Sequence, residues 1–226
     1  MRQEIANPYY FLGANFTDGL DFVIENIGDN PAISDLSEVV ADYLVSEYVP
    51  NPENIEKNEL ISLTTTAVNG IIGRDLQKNT YYNGVQMGYI SMMLSSIYSI
   101  PVEAVGNRLT DIQERIGESG LNATDKAPLF MAIQMGIDGF DYWKNVVSSP
   151  GGWSDYLNSL EAVNFQNIPY FVGAGMEGAL LLANNSQVKG LIDPPKEIGV
   201  DIISALGGGI GAASGYVILK FIPKMS

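Results

Sequence analysis

Among its 226 residues the chain has no cysteine and no histidine. Disulfides, thiol nucleophiles, Ser-His-Asp and Cys-His catalysis, and zinc or haem sites built on these residues are therefore excluded. An enzyme of this composition would have to use carboxylates, Lys, Tyr or Ser, or a hard cation held by carboxylates. The sequence indicates no cofactor, and a non-enzymatic role is the leading interpretation.

Positive charge is also scarce. Only 12 Lys and Arg stand against 26 Asp and Glu, which gives a net charge of −14. A field of that sign repels phosphate backbones and anionic headgroups, so nucleic acid is not expected as a partner. The glycine-rich stretch "ALGGGIGAASG" lacks the Lys-Ser/Thr step of a phosphate-binding loop, so a nucleotide is not expected either.

Strand signals are weak, whereas helical periodicity runs through most of the chain. In the first segment, apolar residues recur three or four positions apart, at Leu12, Phe16, Leu20, Val23 and Ile27. Asn7-Pro8 has the pattern of an N-cap followed by the first helical position. The sequence predicts an all-α bundle of about eight or nine helices, with a glycine-rich helix at the C-terminus.

The Pro194-Pro195 pair suggests how the chain is organised, because two consecutive prolines prevent helix continuation. We expect a helical bundle over residues 1–184, a linker over 185–196, and a C-terminal helix over 197–226 that packs on the bundle.

The C-terminal segment Ile202–Leu219 contains 18 consecutive uncharged residues, about 27 Å as a helix. Gly207, Gly211 and Gly215 form a row spaced by four, and Gly208 belongs to a parallel row of small residues. Such rows let another backbone approach closely, so these four glycines are the predicted packing or association residues. Five glycines cost about 5 kcal/mol in a helix relative to alanine, which close packing must offset.

Three interpretations of this segment remain open. It is a core helix of the chain's own bundle, a helix that inserts conditionally into a membrane or associates with a second copy, or a permanent membrane anchor. The run is short for an anchor and has only two lysines after it.

Two pairs of aspartates lie three residues apart, in "DGLDF" and "DGFDY". Each pair, Asp18 with Asp21 and Asp138 with Asp141, falls on one helical face. Four carboxylates that met between two helices would suit Ca²⁺, and a facing pair would suit general acid/base hydrolysis. The alternative is that they are solvated faces of an acidic protein.

Aromatic residues cluster around the helix-breaking "SSPGG". Trp143, Trp153 and Tyr156 flank it and are the candidate aromatics for stacking on a glycan or peptide, with core packing as the alternative. Because Trp153 follows two glycines, we expect it to be the most exposed of the three.

Two stretches, "NPYYFLGANFTDGLDFVIENI" and "NATDKAPLFMAIQMGIDGFDYW", together with the Gly/Ala-rich C-terminal helix, resemble uncharacterised secreted or lipoprotein-like helical proteins of Bacteroidetes. The matching positions of the first stretch are Asn7, Pro8, Tyr9, Gly13, Gly19, Leu20 and Asp21. Phe16-Thr17 stands where those proteins have His-Asn, so no role of that histidine carries over. The resemblance implies export and implies no biochemical activity.

These observations predict a non-enzymatic, extracytoplasmic helical protein whose C-terminal helix mediates docking, self-association or conditional, bacteriocin-like membrane insertion. A hydrolase with a carboxylate pair in an inter-helical cleft and a glycan- or peptide-binding module are the alternatives. The sequence shows no signal peptide, so secretion or cell-surface location is expected from the resemblance, with the cytoplasm as the alternative. A membrane or a second copy of the chain is the expected partner.

Overall fold

The computed structural model describes residues 7–28, 31–48, 57–73, 82–159, 164–183 and 200–221. Within these ranges the chain forms nine α-helices and no strand, which confirms the predicted all-α bundle. The helices are α1 (Phe11–Asn26), α2 (Ile33–Tyr48), α3 (Lys57–Gly73), α4 (Gly84–Ser99), α5 (Val102–Glu118), α6 (Ala123–Val146), α7 (Trp153–Ser159), α8 (Ile168–Ala183) and α9 (Val200–Phe221). A 3-10 turn, Phe165–Asn167, leads into α8. The predicted linker, 185–196, lies outside the described residues.

The first helix begins later than the Asn7-Pro8 pattern predicts. The Asn7 side chain accepts a hydrogen bond from the backbone N–H of Tyr9 at 2.8 Å, and its amide donates to the carbonyl oxygen of Phe130 in α6 at 3.1 Å. This residue therefore closes a turn before Phe11 and ties the start of the chain to α6. Its side chain is used for a tertiary contact in addition to a local one.

Helices α4 and α6 have side-chain caps that also connect the two elements. Asn83 and Gln86 form a capping box at the start of α4. Gln86 then donates to the carbonyl oxygen of Asp125 at 2.9 Å, in the first turn of α6, where Asn122 is the N-cap. The capping of one helix thereby fixes the start of the other.

Helix α9 lies in the middle of the bundle. It packs against α8, α3, α2, α1 and α6, and its bulky side chains belong to the same hydrophobic core as those of the other helices. Leu206, Ile210 and Val217 are completely buried. The helix predicted to pack on the bundle is thus the element around which the bundle is built.

Candidate functional site

The two helices at the centre, α8 and α9, follow one another in the chain, and we call them the central pair. Their only charged residues are Glu177 in α8 and Asp201 and Lys220 near the ends of α9. Of the helices in the described ranges, α9 alone is long and apolar enough to cross a bilayer, over Asp201–Leu219, and 83% of that stretch is buried inside the molecule. A core helix meets the same criteria of length and composition.

The central pair is held by contact between the two backbones. A β-carbon added to Gly178 would overlap the carbonyl oxygen of Gly208, and one added to Gly208 would overlap the carbonyl oxygen of Gly178. On the preceding turn of α8, the carbonyl oxygen of Gly175 lies 3.3 Å from the position that a β-carbon on Gly209 would take. Such an approach requires glycine on both helices at the crossing point.

The row formed by Gly207, Gly211 and Gly215 faces away from α8, toward α2 and α3. An added β-carbon would lie 2.9 Å from Leu44 Cδ1 at position 207, 2.5 Å from Thr64 Cγ2 at position 211, and 2.9 Å from Val68 Cγ1 at position 215. The predicted packing glycines are thus buried against helices of the same chain. Association of a second copy through this row would require the bundle to open.

Three buried polar atoms near the core have no hydrogen-bond partner among the described residues. They are Thr64 Oγ1 in α3, Ser214 Oγ in α9 and Nε1 of Trp143 in α6. A buried polar group without a partner costs about 1–3 kcal/mol. These groups therefore lower the stability of the closed bundle in and around its central helix.

The prediction that Trp153 is the most exposed of the three aromatic residues is wrong, because Tyr156 is more exposed. Gly151 and Gly152 adopt positive φ angles of 114° and 49°, which turn the chain back toward the bundle. Trp153 then inserts beneath α1, is 1% exposed, and its Nε1 donates to the carbonyl oxygen of Leu20 at 2.9 Å.

Trp143 is also fully buried, with its ring centroid 5.7 Å from that of Trp153 and 4.8 Å from that of Phe171. Tyr156 is half-buried and packs edge-on against Trp153. Both indoles lie in the core, so the predicted aromatic platform for a glycan or peptide is not on the surface.

The four aspartates do not assemble into a cation site. No group of three or more acidic side chains suited to a metal occurs in the ranges that the structure describes. Asp18, Asp21 and Asp141 are exposed, and Asp21 accepts a hydrogen bond from the Tyr142 hydroxyl at 2.5 Å. Helical spacing placed each pair on one face, but the pair in α1 points to solvent, and in α6 only Asp141 is exposed.

Asp138 is half-buried in a polar chain between α1, α5 and α6. Its carboxylate occupies the space above Gly13 and accepts a hydrogen bond from Gln134 Nε2 at 2.9 Å. Gln134 Oε1 in turn accepts from Gln113 at 3.0 Å and from Asn7 at 3.2 Å. Burial raises the pKa of the Asp138 carboxyl, the hydrogen bond from Gln134 partly offsets this, and Asp141 raises it further.

Two surface cavities are relevant to the predicted hydrolase. A groove of about 460 Å³ between α4 and α5 contains Tyr89, Met92, Arg115 and Glu118 among its lining residues. A cavity of about 260 Å³ near Tyr9 is lined in part by Asp201. Each contains one carboxylate, so neither provides the facing pair that acid/base hydrolysis needs.

An exposed aromatic group on the central pair was not anticipated from the sequence. The ring of Tyr170 in α8 is parallel to that of Tyr216 in α9, with centroids 6.3 Å apart, and lies 5.8 Å from the ring of Tyr98 in α4. The Tyr98 hydroxyl sits over Gly173 and donates to Glu177 at 3.2 Å. The available signal was Tyr170-Phe171, adjacent aromatics of which a helix can bury only one against a given neighbour.

Comparison with known proteins gives no further assignment. No family model matches the chain, and neither the curated proteins nor the solved structures contain a match to it.

Proposed function

We propose that this chain is a non-enzymatic helical protein that acts outside the cytoplasm and stores a membrane-inserting helix pair inside a water-soluble bundle. One observation carries the proposal. The two helices of the central pair are neighbours in the chain, nearly free of charge, packed backbone to backbone, and surrounded by the other helices.

The length of α9 and the packing of the central pair suit a bilayer. The uncharged part of α9 is about 27 Å long, against about 30 Å of hydrocarbon, a difference that local thinning accommodates. Helix α8, about 24 Å long and with Glu177 in its sequence, is too short to span the bilayer by itself and enters as the partner of α9. The contact between Gly178 and Gly208 does not depend on water, because close approach of small residues also holds helices together in lipid. The pair can therefore move from protein to membrane as one unit.

The closed bundle also has a reason to open. The buried hydroxyl of Thr64 in α3 has no hydrogen-bond partner among the described residues, which costs about 1–3 kcal/mol, and it can bind water once α9 has left. This cost reduces the free energy that keeps α9 against α3.

The net charge supports membrane insertion that depends on acid, and the composition supports a location outside the cytoplasm. A net charge of −14 opposes approach to anionic membranes at neutral pH, and protonation of carboxylates in acid removes part of that barrier. A chain without cysteine is compatible with an oxidising compartment, and the resemblance to exported helical proteins points the same way.

An engineered disulfide that holds α9 against α3, and that can be reduced, tests the proposal. A β-carbon at position 211 would lie 3.7 Å from Cβ of Thr64, within the range of about 3.5–4.5 Å found in disulfides. The chain has no native cysteine, so the variant Thr64→Cys/Gly211→Cys forms this bond alone. We expect the oxidised protein to release no dye from phosphatidylcholine vesicles between pH 7 and pH 4, and the reduced protein to release it as the wild type does.

The matched control links the two helices of the central pair to each other. A β-carbon at Gly175 would lie 3.5 Å from Cβ of Ala213, so Gly175→Cys/Ala213→Cys joins α8 to α9, with a small shift of Phe16. We expect this protein to release dye even when oxidised, because the pair inserts together. Equal release from both oxidised variants, or no release from the wild type at any pH, would contradict the proposed function.

A further inference from the structure

Six large hydrophobic side chains are exposed in the described residues, and four of them, Tyr98, Phe165, Tyr170 and Leu219, lie toward one end of the central pair, whereas Tyr10 and Val85 lie elsewhere. Tyr98 is 46% exposed and Tyr170 43%, and the stacked ring of Tyr216 extends the same surface. We call this surface the aromatic patch.

The antiparallel register of α8 and α9 places two further side chains at this end. Tyr170 lies beside Tyr216, so Asn167, in the turn three residues before Tyr170, is level with Leu219, three residues after Tyr216 in α9. Leu219 is 38% exposed, and Phe165, in the turn just before α8, is 48% exposed. The opposite end of the pair adjoins the segment 184–199, whose sequence contains four charged residues.

The chemistry of the aromatic patch suits a phospholipid interface. Tyrosine has an apolar ring and a polar hydroxyl, and it is enriched where hydrocarbon meets headgroups. Phe165 and Leu219 add apolar surface that has no hydrogen-bonding group, which favours lipid over a sugar as the occupant. The charge of −14 selects against anionic headgroups, so neutral, zwitterionic lipid is the complementary surface.

We infer that the aromatic patch is the surface by which the closed protein docks on neutral phospholipid, before the central pair leaves the bundle. The inference rests on the proposed function and names its first step. Docking uses side chains that are already exposed, so it needs no opening of the bundle. Insertion does need opening, so the two steps separate experimentally.

The oxidised Thr64→Cys/Gly211→Cys protein isolates docking from insertion. We expect it to float with phosphatidylcholine vesicles at pH 7 without releasing dye, and to float less when phosphatidylserine is added. In that background, Tyr170→Ser/Leu219→Ser should lower the partition coefficient by about tenfold or more, because both side chains lose their apolar contact with lipid. Phe165→Ser provides a second, independent variant outside the helices.

The matched control is Tyr10→Ser. Tyr10 is 71% exposed but lies next to Tyr9, which lines a cavity with Asp201 at the opposite end of the central pair. We expect its partition coefficient to equal that of the parent. Circular dichroism and thermal unfolding establish that each variant is folded.

The possible results distinguish the two proposals. Suppose that the oxidised Thr64→Cys/Gly211→Cys protein floats, that flotation falls when Tyr170 and Leu219 are replaced, and that the reduced form releases no dye. Docking would then be supported and insertion refuted. Failure of the locked protein to float, or equal flotation of Tyr10→Ser and Tyr170→Ser/Leu219→Ser, would overturn the docking inference. Binding to an immobilised glycan that is lost in Tyr170→Ser, without binding to vesicles, would overturn it in favour of a sugar site.

Discussion

The carbonyl oxygen of Gly178 in α8 occupies the space that a β-carbon on Gly208 in α9 would need, and the Gly208 carbonyl does the same to Gly178. The obstacle at each position is backbone, which has no rotamer to change. The distance between the two helices is therefore set by the absence of two side chains.

The substitution Gly208→Ala should destabilise the protein by about 2–3 kcal/mol, because α8 and α9 must move apart throughout a close-packed core. Gly88→Ala is the control, since Gly88 lies within α4 and an added β-carbon there would meet no atom within 4 Å. It should stabilise the protein by about 0.5–1 kcal/mol through helix propensity. Urea unfolding followed by circular dichroism measures both, and equal effects would mean that the close crossing is absent.

The contact between Gly211 and Thr64 can be tested by compensation. A β-carbon at position 211 would lie 2.5 Å from Thr64 Cγ2 but 3.7 Å from Thr64 Cβ, so only the methyl group obstructs it. We expect Gly211→Ala to cost about 1–3 kcal/mol alone, and Thr64→Ser to recover at least about 1 kcal/mol of this in the double variant. Strictly additive free energies of unfolding would place position 211 away from α3.

Part of the central pair could be predicted from the sequence. A row of glycines spaced by four and a long uncharged run are local patterns, and they identified α9 and the side of it that allows close packing. What each glycine touches is not local. Gly178, the partner of Gly208, lies in α8, and the separation of the two positions along the chain hides their contact.

The predictions for Trp153 and for the aspartates of α6 failed for the same reason, because they depended on contacts between distant parts of the chain. Two glycines before Trp153 suggested an exposed loop, but the direction of the turn depends on their positive φ angles, and it leads the indole beneath α1. Helical spacing placed Asp138 and Asp141 on one face, yet Asp138 is half-buried because Gly13 in α1 leaves room for its carboxylate. Such pairings are set by tertiary packing.

The two tryptophans should respond differently to the same substitution. Nε1 of Trp153 donates to the Leu20 carbonyl, whereas Nε1 of Trp143 has no partner among the described residues. Replacement by phenylalanine removes similar volume from both sites, but only at Trp153 is a hydrogen bond lost. We expect Trp153→Phe to cost about 1–2 kcal/mol more than Trp143→Phe in urea unfolding. A larger loss for Trp143→Phe would mean that its indole nitrogen has a partner.

The chain's fluorescence offers a related measurement. Trp143 and Trp153 are its only tryptophans, and both are buried. Emission from the folded protein should be blue-shifted and protected from acrylamide, and protection should fall on unfolding. Quenching of the folded protein as efficient as that of free tryptophan would contradict the placement of both indoles in the core.

The carboxyl of Asp138 should make the protein less stable as pH rises through the acid range. Burial raises its pKa in the folded state above its ordinary value of 3.8, so the folded state binds the proton more tightly than the unfolded state does. Its contribution to stability is therefore fully present below pH 3.8 and is lost as pH rises through the raised pKa.

The variant Asp138→Asn tests this, because it keeps an acceptor for Gln134 and removes the charge. This variant should equal the wild type near pH 3 and exceed it at pH 7, by less than about 1 kcal/mol because the side chain is partly solvated. Asp18→Asn, on an exposed face of α1, corrects for the general benefit of removing one negative charge from a chain of net charge −14. If both variants gain the same stability at pH 7, the carboxylate of Asp138 is not desolvated against Gly13.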